Sequence, residues 1–573
     1  MSTEKIPYSV HSFMLPFRWD YLPPDYSLEA GKEQISFEVR TSLNSFLKCV
    51  LQQGSFWKRK FFAIGGKAEN YNEYHYFHAY AAKTLFDLQQ KDEKETGNIN
   101  ANKVMLYFEI ETDVTNDTYT IKTVNDGTYL LKLSGISLHV YNTGVAILTI
   151  NVENDKYPEK EKILIINEFG RRIYPQFLNN EHPHTQQVKK AFLADSIEIS
   201  IGGKGNFSDD FSEYESIAER EVHHYEGNDF KHSWVVKAPT YIRHLFGDKF
   251  SFTLGDEKPD SIRFNILTDD RMFFQSWYGN NDLATALKEK TQDITSENAF
   301  TANYSFGSIE KEVKGKYTAT RTETEYPYLN NNDWHAYMFG DKGGPCIENK
   351  KMQKSLTEAH TYDRWAGYGT LFGLTRDSFV CITGSGDFSE LIITQMKTMY
   401  YQMAVLCLAQ RASVLRFSSE VSNLSDLARS NENKKLIANI KILYKNYIEF
   451  INKIYYREIT PYIQGMEMYT QFQKIMDLKD NVKDLDEELN ELFNYVKLEE
   501  DERQGNEAHS LSLIATWFLP ASFIASLFGI GFIREYTTLT GKIDWELWKV
   551  WLIICGAGAL VSWFFIRKAK RKK

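Results

Sequence analysis

The chain has 573 residues, 43% hydrophobic, 14% aromatic and 25% charged, with a formal net charge of −9. That length implies about two to four domains, the aromatic and apolar content excludes a mainly disordered chain, and the charged fraction excludes a many-span membrane protein. Five scattered cysteines (Cys49, Cys346, Cys381, Cys407, Cys555) are too few for a disulfide framework or a four-cysteine zinc site, and the acidic balance argues against direct nucleic-acid binding.

Residues 1–385 read as a cytosolic α/β body of one or two subdomains. The start, MSTEKIPYSVHSF, has no apolar signal core and no transit-peptide character. From Val104 to Val152 come the short strand-like runs VMLYFEI, DTYTIKT, TYLLKL, ISLHVYN and GVAILTINV. Asn125-Asp126-Gly127 and Asn142-Thr143-Gly144 mark the turns. A helix is expected from Pro158, with Gly170 as its stop. Ser261–Leu267 and Ser378–Thr383 read as later strands.

Just beyond Gly170 stand Arg171 and Arg172, braced by Tyr174 and Pro175. Two guanidiniums in a loop suit bidentate capture of a phosphate or carboxylate; they suit equally a pairing with the helix C-terminus and nearby acids. Asp270 with Arg271, and Asp363 with Arg364, Trp365 and Arg376, offer further groups for a nucleotide, or structural ion pairs. Gly202-Gly203-Lys204-Gly205 reads as a turn, because no Ser or Thr follows the lysine. The histidine pairs His75/His78, His182/His184 and His223/His224 lack further ligands at metal-site spacing. With no nucleophile elbow, Walker motif or dinucleotide fingerprint, neither an enzyme nor a resident cofactor is expected.

Residues 386–460 form a helical linker, with helices expected over Asp387–Leu427 and Asn433–Tyr456 and a turn at Ser430–Asn431. Residues 461–510 read as a stalk. Ile475, Leu478, Val482, Leu485, Leu489, Leu492 and Val496 recur at spacings of three and four, an a/d seam that needs a helical partner. One continuous helix is expected from Tyr462 onward, since no proline intervenes before Pro520. Asp480 to Glu507 holds eleven acids against three bases, densest at Glu499-Glu500-Asp501-Glu502. These acids make a solvated face or, around an oligomer axis, negative rings that concentrate cations.

Leu511–Ile533 is 23 residues without a charge, about 34 Å as a helix, and Val550–Ile566 is 17 residues, about 26 Å, flanked by tryptophans. Both are expected to span a membrane, joined by an external loop at 534–549. The tail at 567–573, RKAKRKK, is strongly basic, whereas the loop balances three bases with three acids. Positive-inside therefore puts both termini in the cytoplasm, with the chain in the cell membrane.

The segment LSLIATWFLPASFIASLFGIGF resembles the first span of CorA-type divalent-cation channels, through Ile514-Ala515-Thr516, Pro520 to Ala525 and Phe528-Gly529. The resemblance covers about Asp387 to Lys573. It implies a homo-oligomer (a pentamer in the family) with Leu519, Ser522, Ser526, Gly529 and Gly531 lining a pore. It also implies Mg²⁺ or another divalent cation as the permeant ion. The family's Gly-Met-Asn at the pore mouth, where asparagine amides hold hydrated magnesium, is replaced here by Gly529-Ile530-Gly531. Glycine offers no side-chain oxygen to that water shell, so a weakly selective pore is expected. The large body, with GRRIYP, DDRMF and YDRW…GTLFGLTRDSFV, is similar to the CorA-like effectors of type III CRISPR systems. That likeness implies a pore opened by a small nucleotide messenger, a conjugate of S-adenosylmethionine and AMP, in antiviral defence. The expected fold class is α+β: an α/β body, long stalk helices and a two-helix membrane hairpin. The rival readings are a constitutive magnesium transporter with an altered filter and a tail-anchored oligomeric hydrolase.

Overall fold

The structure is a computed structural model that describes residues 6–26, 35–90, 93, 99–100, 102–174, 193–212, 238–252, 257–267, 270–306, 308–344, 346–428, 433–536, 549 and 553. It divides into two compact units, residues 1–487 and residues 488–573.

The first unit is built on three strands: β1 (Ser9–Leu22), β5 (Gly127–Tyr141) and β6 (Val145–Asn154), in the order β1-β6-β5. β1 and β5 are long enough to change partners along their outer edges. β1 pairs β11 (Phe273–Gly279) through Ser9–Met14 and β10 (Ser261–Ile266) through Phe17–Leu22. The handover falls at Pro16, whose nitrogen has no hydrogen to give either ladder. β5 pairs β4 (Thr118–Thr123) through Gly127–Lys132 and β3 (Met105–Ile110) through Ile136–Tyr141. A register irregularity between Leu133 and Gly135 marks that handover. TYLLKL and ISLHVYN, expected as two strands, are therefore one strand with a bulge.

β7 (Ser196–Ile201) and β8 (Gly205–Asp209) extend the sheet beyond β4, and Gly202 to Lys204 make the turn between them. β16 (Ser378–Thr383) pairs β11 in parallel and carries β15 (Leu371–Leu374) and then β14 (Thr361–Tyr362). β2 (Trp57–Arg59) joins β3, and β9 (Phe250–Ser251) joins β10. Against the body stand α1 (Ala68–His75) and α2 (Lys160–Gly170). α2 is seated on Phe13 of β1: a Cβ on Gly170 would lie 2.4 Å from the Phe13 ring, so this helix stop is also a close-packing residue.

Four helices follow: α3 (Asp387–Lys397), α4 (Met399–Ala428), α5 (Asn433–Lys453) and α6 (Ile463–Ile475). α4 packs on β1 and β6 and is flanked by α5 and α6, so it is buried nearly all round. Alternate residues of β1 serve the two faces: Phe13 and Trp19 enter the core beneath the sheet, while Arg18 and Asp20 meet α4. Arg416 of α4 has no solvent exposure; it donates to Asp20 Oδ1 (2.6 Å), Trp19 O (2.8 Å) and Gly144 O (2.8 Å). Arg18 and Arg40 complete the network by bridging Asp20 to Glu420 of α4.

The single helix expected over Asp387–Leu427 is broken at Thr398 (φ −119°, ψ −95°), which separates α3 from α4. The continuous helix expected from Tyr462 is also broken. α6 ends at Ile475, Asp477 takes φ 51°, and α7 (Leu478–Tyr536) begins a new helix. The side chain of Asp477 accepts from Arg376 (3.0 Å), so the break is tied to the body. The seam is buried at Leu478, Val482, Leu485, Leu489 and Val496. The expected turn at Ser430–Asn431, most of the external loop and nearly all of the second span lie outside the described residues. Among the described residues no helix is long and apolar enough to cross a membrane.

β12 (Lys290–Phe306) and β13 (Ile309–Glu325) form a separate two-stranded ribbon. Its register puts Ile294, Phe300, Val313 and Tyr317 on one face, all exposed, and Thr291, Asp293, Thr295 and Glu297 on the other.

Burial alone would raise the Asp20 carboxyl, but Arg416, Arg18 and Arg40 hold it well below the usual carboxylate range. A depressed pKa stabilises the fold above the unfolded value of about 4, an advantage lost as pH falls below it. Asp20→Asn in the full chain should lower the thermal unfolding midpoint at pH 7, by the equivalent of about 3–5 kcal/mol for a broken buried pair. Unfolding followed by circular dichroism should show that deficit shrinking below about pH 4.

Candidate functional site

The predicted ligand residues fall into two groups. In the first, α2 ends and the chain turns to meet the strand start at Arg271–Met272. Ile173 N donates to Asp270 O (2.9 Å), Met272 N donates to Arg171 O (2.7 Å), and Arg172 and Arg271 form an isolated bridge. Arg171, Arg172, Asp270 and Arg271 are thus brought together, with Tyr174 half-buried against the core.

Both guanidiniums point inward. Arg171 is 1% exposed; its Nη2 donates to Glu168 Oε2 (2.9 Å) and Gly340 O (3.1 Å), and the group lies over the Phe274 ring at 5.0 Å. Arg172 donates to Glu168 Oε1 from Nη2 (2.5 Å) and Nε (3.0 Å), and pairs with Asp270. Arg271 Nε lies 3.6 Å from the other Asp270 oxygen and is the more exposed arginine of the set. Burial would raise Glu168, but Arg171 and Arg172 hold its carboxylate below the usual range. The cluster is a buried charge network at the end of α2 in which Arg171 and Arg172 pair with Glu168, and Arg172 with Asp270.

The second group lies where the body meets α6 and the start of α7. Arg364 donates to both oxygens of Glu467 on α6 (2.7 Å each) and lies over Trp365. Tyr362 reaches the same carboxylate. Asp363 accepts from the Tyr328 hydroxyl (2.5 Å), and Arg376 holds Asp477. The exposed pairs to Glu467 and Asp477 fasten body to helices. Among the described residues, no group of three or more His, Cys, Asp or Glu side chains is arranged to hold a metal ion.

Of the expected pore residues, Ser522 and Ser526 are exposed on α7, and the Ser526 hydroxyl donates to Ser522 O (2.7 Å). Leu519, Gly529 and Gly531 lie within the same helix, with side-chain surroundings outside the described residues. Asp501 and Glu502 are exposed on α7.

Sequence reasoning missed the cavity of about 590 Å³ lined by Glu73, Tyr107, His139, Tyr401 and Gln402 among others; none of the predicted ligand residues lines it. Its parts come from widely separated segments, and the buried polar character of His139 within ISLHVYN is the one local sign.

Residues 408–571 match the family model of CorA-like Mg2+ transporter proteins, so a domain of that family begins inside α4 and takes in α5, α6 and α7. No curated protein matches the chain.

Arg172→Ala would leave Glu168 and Asp270 buried with one cation fewer, a loss of about 3–5 kcal/mol. Arg376→Ala removes a pair exposed on both sides and should shift stability by at most about 1 kcal/mol. Denaturant unfolding of the two variants side by side checks the contrast.

Proposed function

We propose that the chain assembles as a homo-oligomer into a cation path through a membrane, and that its large body controls whether the path is open. The observation that carries this reading is the CorA-like Mg2+ transporter domain at residues 408–571. Two features support it. The uncharged run 511–533 continues the helix that carries the acids around Asp501, and those acids would enrich cations at the mouth of an axial path. The body is joined to this domain through α4 and α6, elements able to relay a change in the body.

In the finer reading the controlling ligand is a small nucleotide messenger, a conjugate of S-adenosylmethionine and AMP. The open pore then passes Mg²⁺ and other cations with little selectivity, disrupting the membrane of infected cells as a type III CRISPR effector. Both termini lie in the cytoplasm and the ion is cargo. Gly529-Ile530-Gly531 in place of Gly-Met-Asn favours the unselective pore over a dedicated magnesium uptake system. A ligand acts only through a difference in affinity between the open and closed arrangements.

Purified chain in liposomes loaded with a magnesium-sensitive dye tests the reading. Influx that rises on adding the messenger supports it, and equal influx without messenger favours the constitutive transporter. No influx under either condition overturns both. Asp501→Asn with Glu502→Gln should lower cation flux a few-fold, more at 10 mM than at 300 mM salt, because screening already weakens the acids at high salt. Flux measured at the two ionic strengths checks this.

A further inference from the structure

The cavity of about 590 Å³ is bounded by β1, β3, β5 and β6, by residues 60–63 and α1, and by the α3–α4 junction. Its volume falls in the range of sites for small organic ligands. Four carboxyl groups stand in its wall, and three are settled within the chain: Asp87 pairs with Arg59 and Lys103, Glu109 with Lys60, and Glu153 with Lys397. The fourth, Glu73 of α1, has no ion pair among the described residues.

Glu73 is 8% exposed. Its Oε1 accepts from Gln402 Nε2 (3.1 Å), while its Oε2 has no hydrogen-bond partner among the described residues and is not sealed from the cavity. His139 Nδ1 and Gln402 Oε1, by contrast, are closed inside the wall and offer nothing to an occupant. Burial without a neighbouring cation pushes the Glu73 carboxyl up to about 7, so the site is short of one positive charge. The wall also carries an apolar part, with Leu85, Val152 and the rings of Phe62 and Phe86, whose centroids are 4.2 Å apart.

These features select among occupants. An anion would meet Glu73 while the lysines of the wall are already engaged. A bare metal ion would find no set of three ligating side chains among the described residues, and would leave the apolar wall in contact with water. A protonated amine with an apolar body meets both halves: three N–H donors for the carboxylate, and a hydrocarbon face for the rings.

We infer that this cavity binds a small organic amine, its ammonium group paired with Glu73 and its apolar body laid against Phe62 and Phe86. Gln402, which holds the same carboxyl, stands in the first turn of α4, just before the CorA-like domain begins at residue 408. The occupant therefore sits where α1, the sheet and the helix entering that domain meet. The inference does not rest on the ligand-gated reading above, and a failure of the flux experiment would leave it standing.

Isothermal titration of the detergent-solubilised full chain tests the site with four probes: phenethylamine, phenethyl alcohol (a hydroxyl for the ammonium), ethylamine (no ring) and phenylpropionate (a carboxylate for the ammonium). Phenethylamine should bind with a dissociation constant of about a millimolar or tighter, the alcohol and ethylamine about tenfold or more weakly, and phenylpropionate not detectably. Glu73→Gln keeps the size of the side chain and an oxygen for Gln402. It should lower phenethylamine affinity about tenfold or more while holding that of the alcohol within about threefold, the sign that the cavity is intact. Ala63→Trp places its bulk at an exposed lining position and should abolish binding of both without touching the core. No binding of phenethylamine, equal affinity for the alcohol or for ethylamine, or unchanged phenethylamine affinity in either variant overturns the inference.

Discussion

A guanidinium sealed from solvent ties α4 to the main sheet. Arg416 is fully buried on α4 and is held by Asp20 and by the carbonyls of Trp19 and Gly144. Removing such a charge from water costs several kcal/mol unless its partners are complete, so sliding α4 by one turn would leave the charge stranded. Gly144 shows how closely the pieces meet: it takes φ 77°, and a Cβ there would lie 2.5 Å from Arg416 Nη1. The turn between β5 and β6 is therefore specified by the helix that lies across it. Arg40 and Arg18, by spanning Asp20 and Glu420, make the same attachment a second time.

Arg416 fixes the middle of α4 against the sheet. The break at Thr398 lies at the N-terminal end of α4, and so does the cavity wall. Farther along the chain, Glu467 on α6 and Asp477 at the second break are each held by an arginine of the body. The CorA-like domain is thus attached firmly at the middle of α4 and more lightly near α6, where the pairs face solvent.

Local signals predicted β3, β4, β6, β10, β16 and α2 well, because each is a short periodic run between clear turn residues. β1 escaped because it is buried on both faces for most of its length, so its residues do not alternate, and because it contains Pro16. The two helix breaks had no marker: neither Thr398 nor Asp477 is a glycine or proline, and the second is held by a pairing with distant Arg376. Arg171 and Arg172 stand out in the sequence, but spacing carries no information on whether a guanidinium faces solvent or Glu168. The cavity was illegible for a related reason, since Glu73, His139 and Gln402 become neighbours only when α4 lies down on the sheet.

The ribbon of β12 and β13 attaches differently from everything else. Lys290 and Glu325 face each other on its first rung, so the arm departs and returns at a single point. Neither strand pairs with the main sheet, and the core has no structural claim on the residues in between. Such a module can lengthen, shorten or change its surface under selection with little consequence for the folding of the body. The body can in turn diverge beneath it, and the two parts are free to evolve at separate rates within one polypeptide.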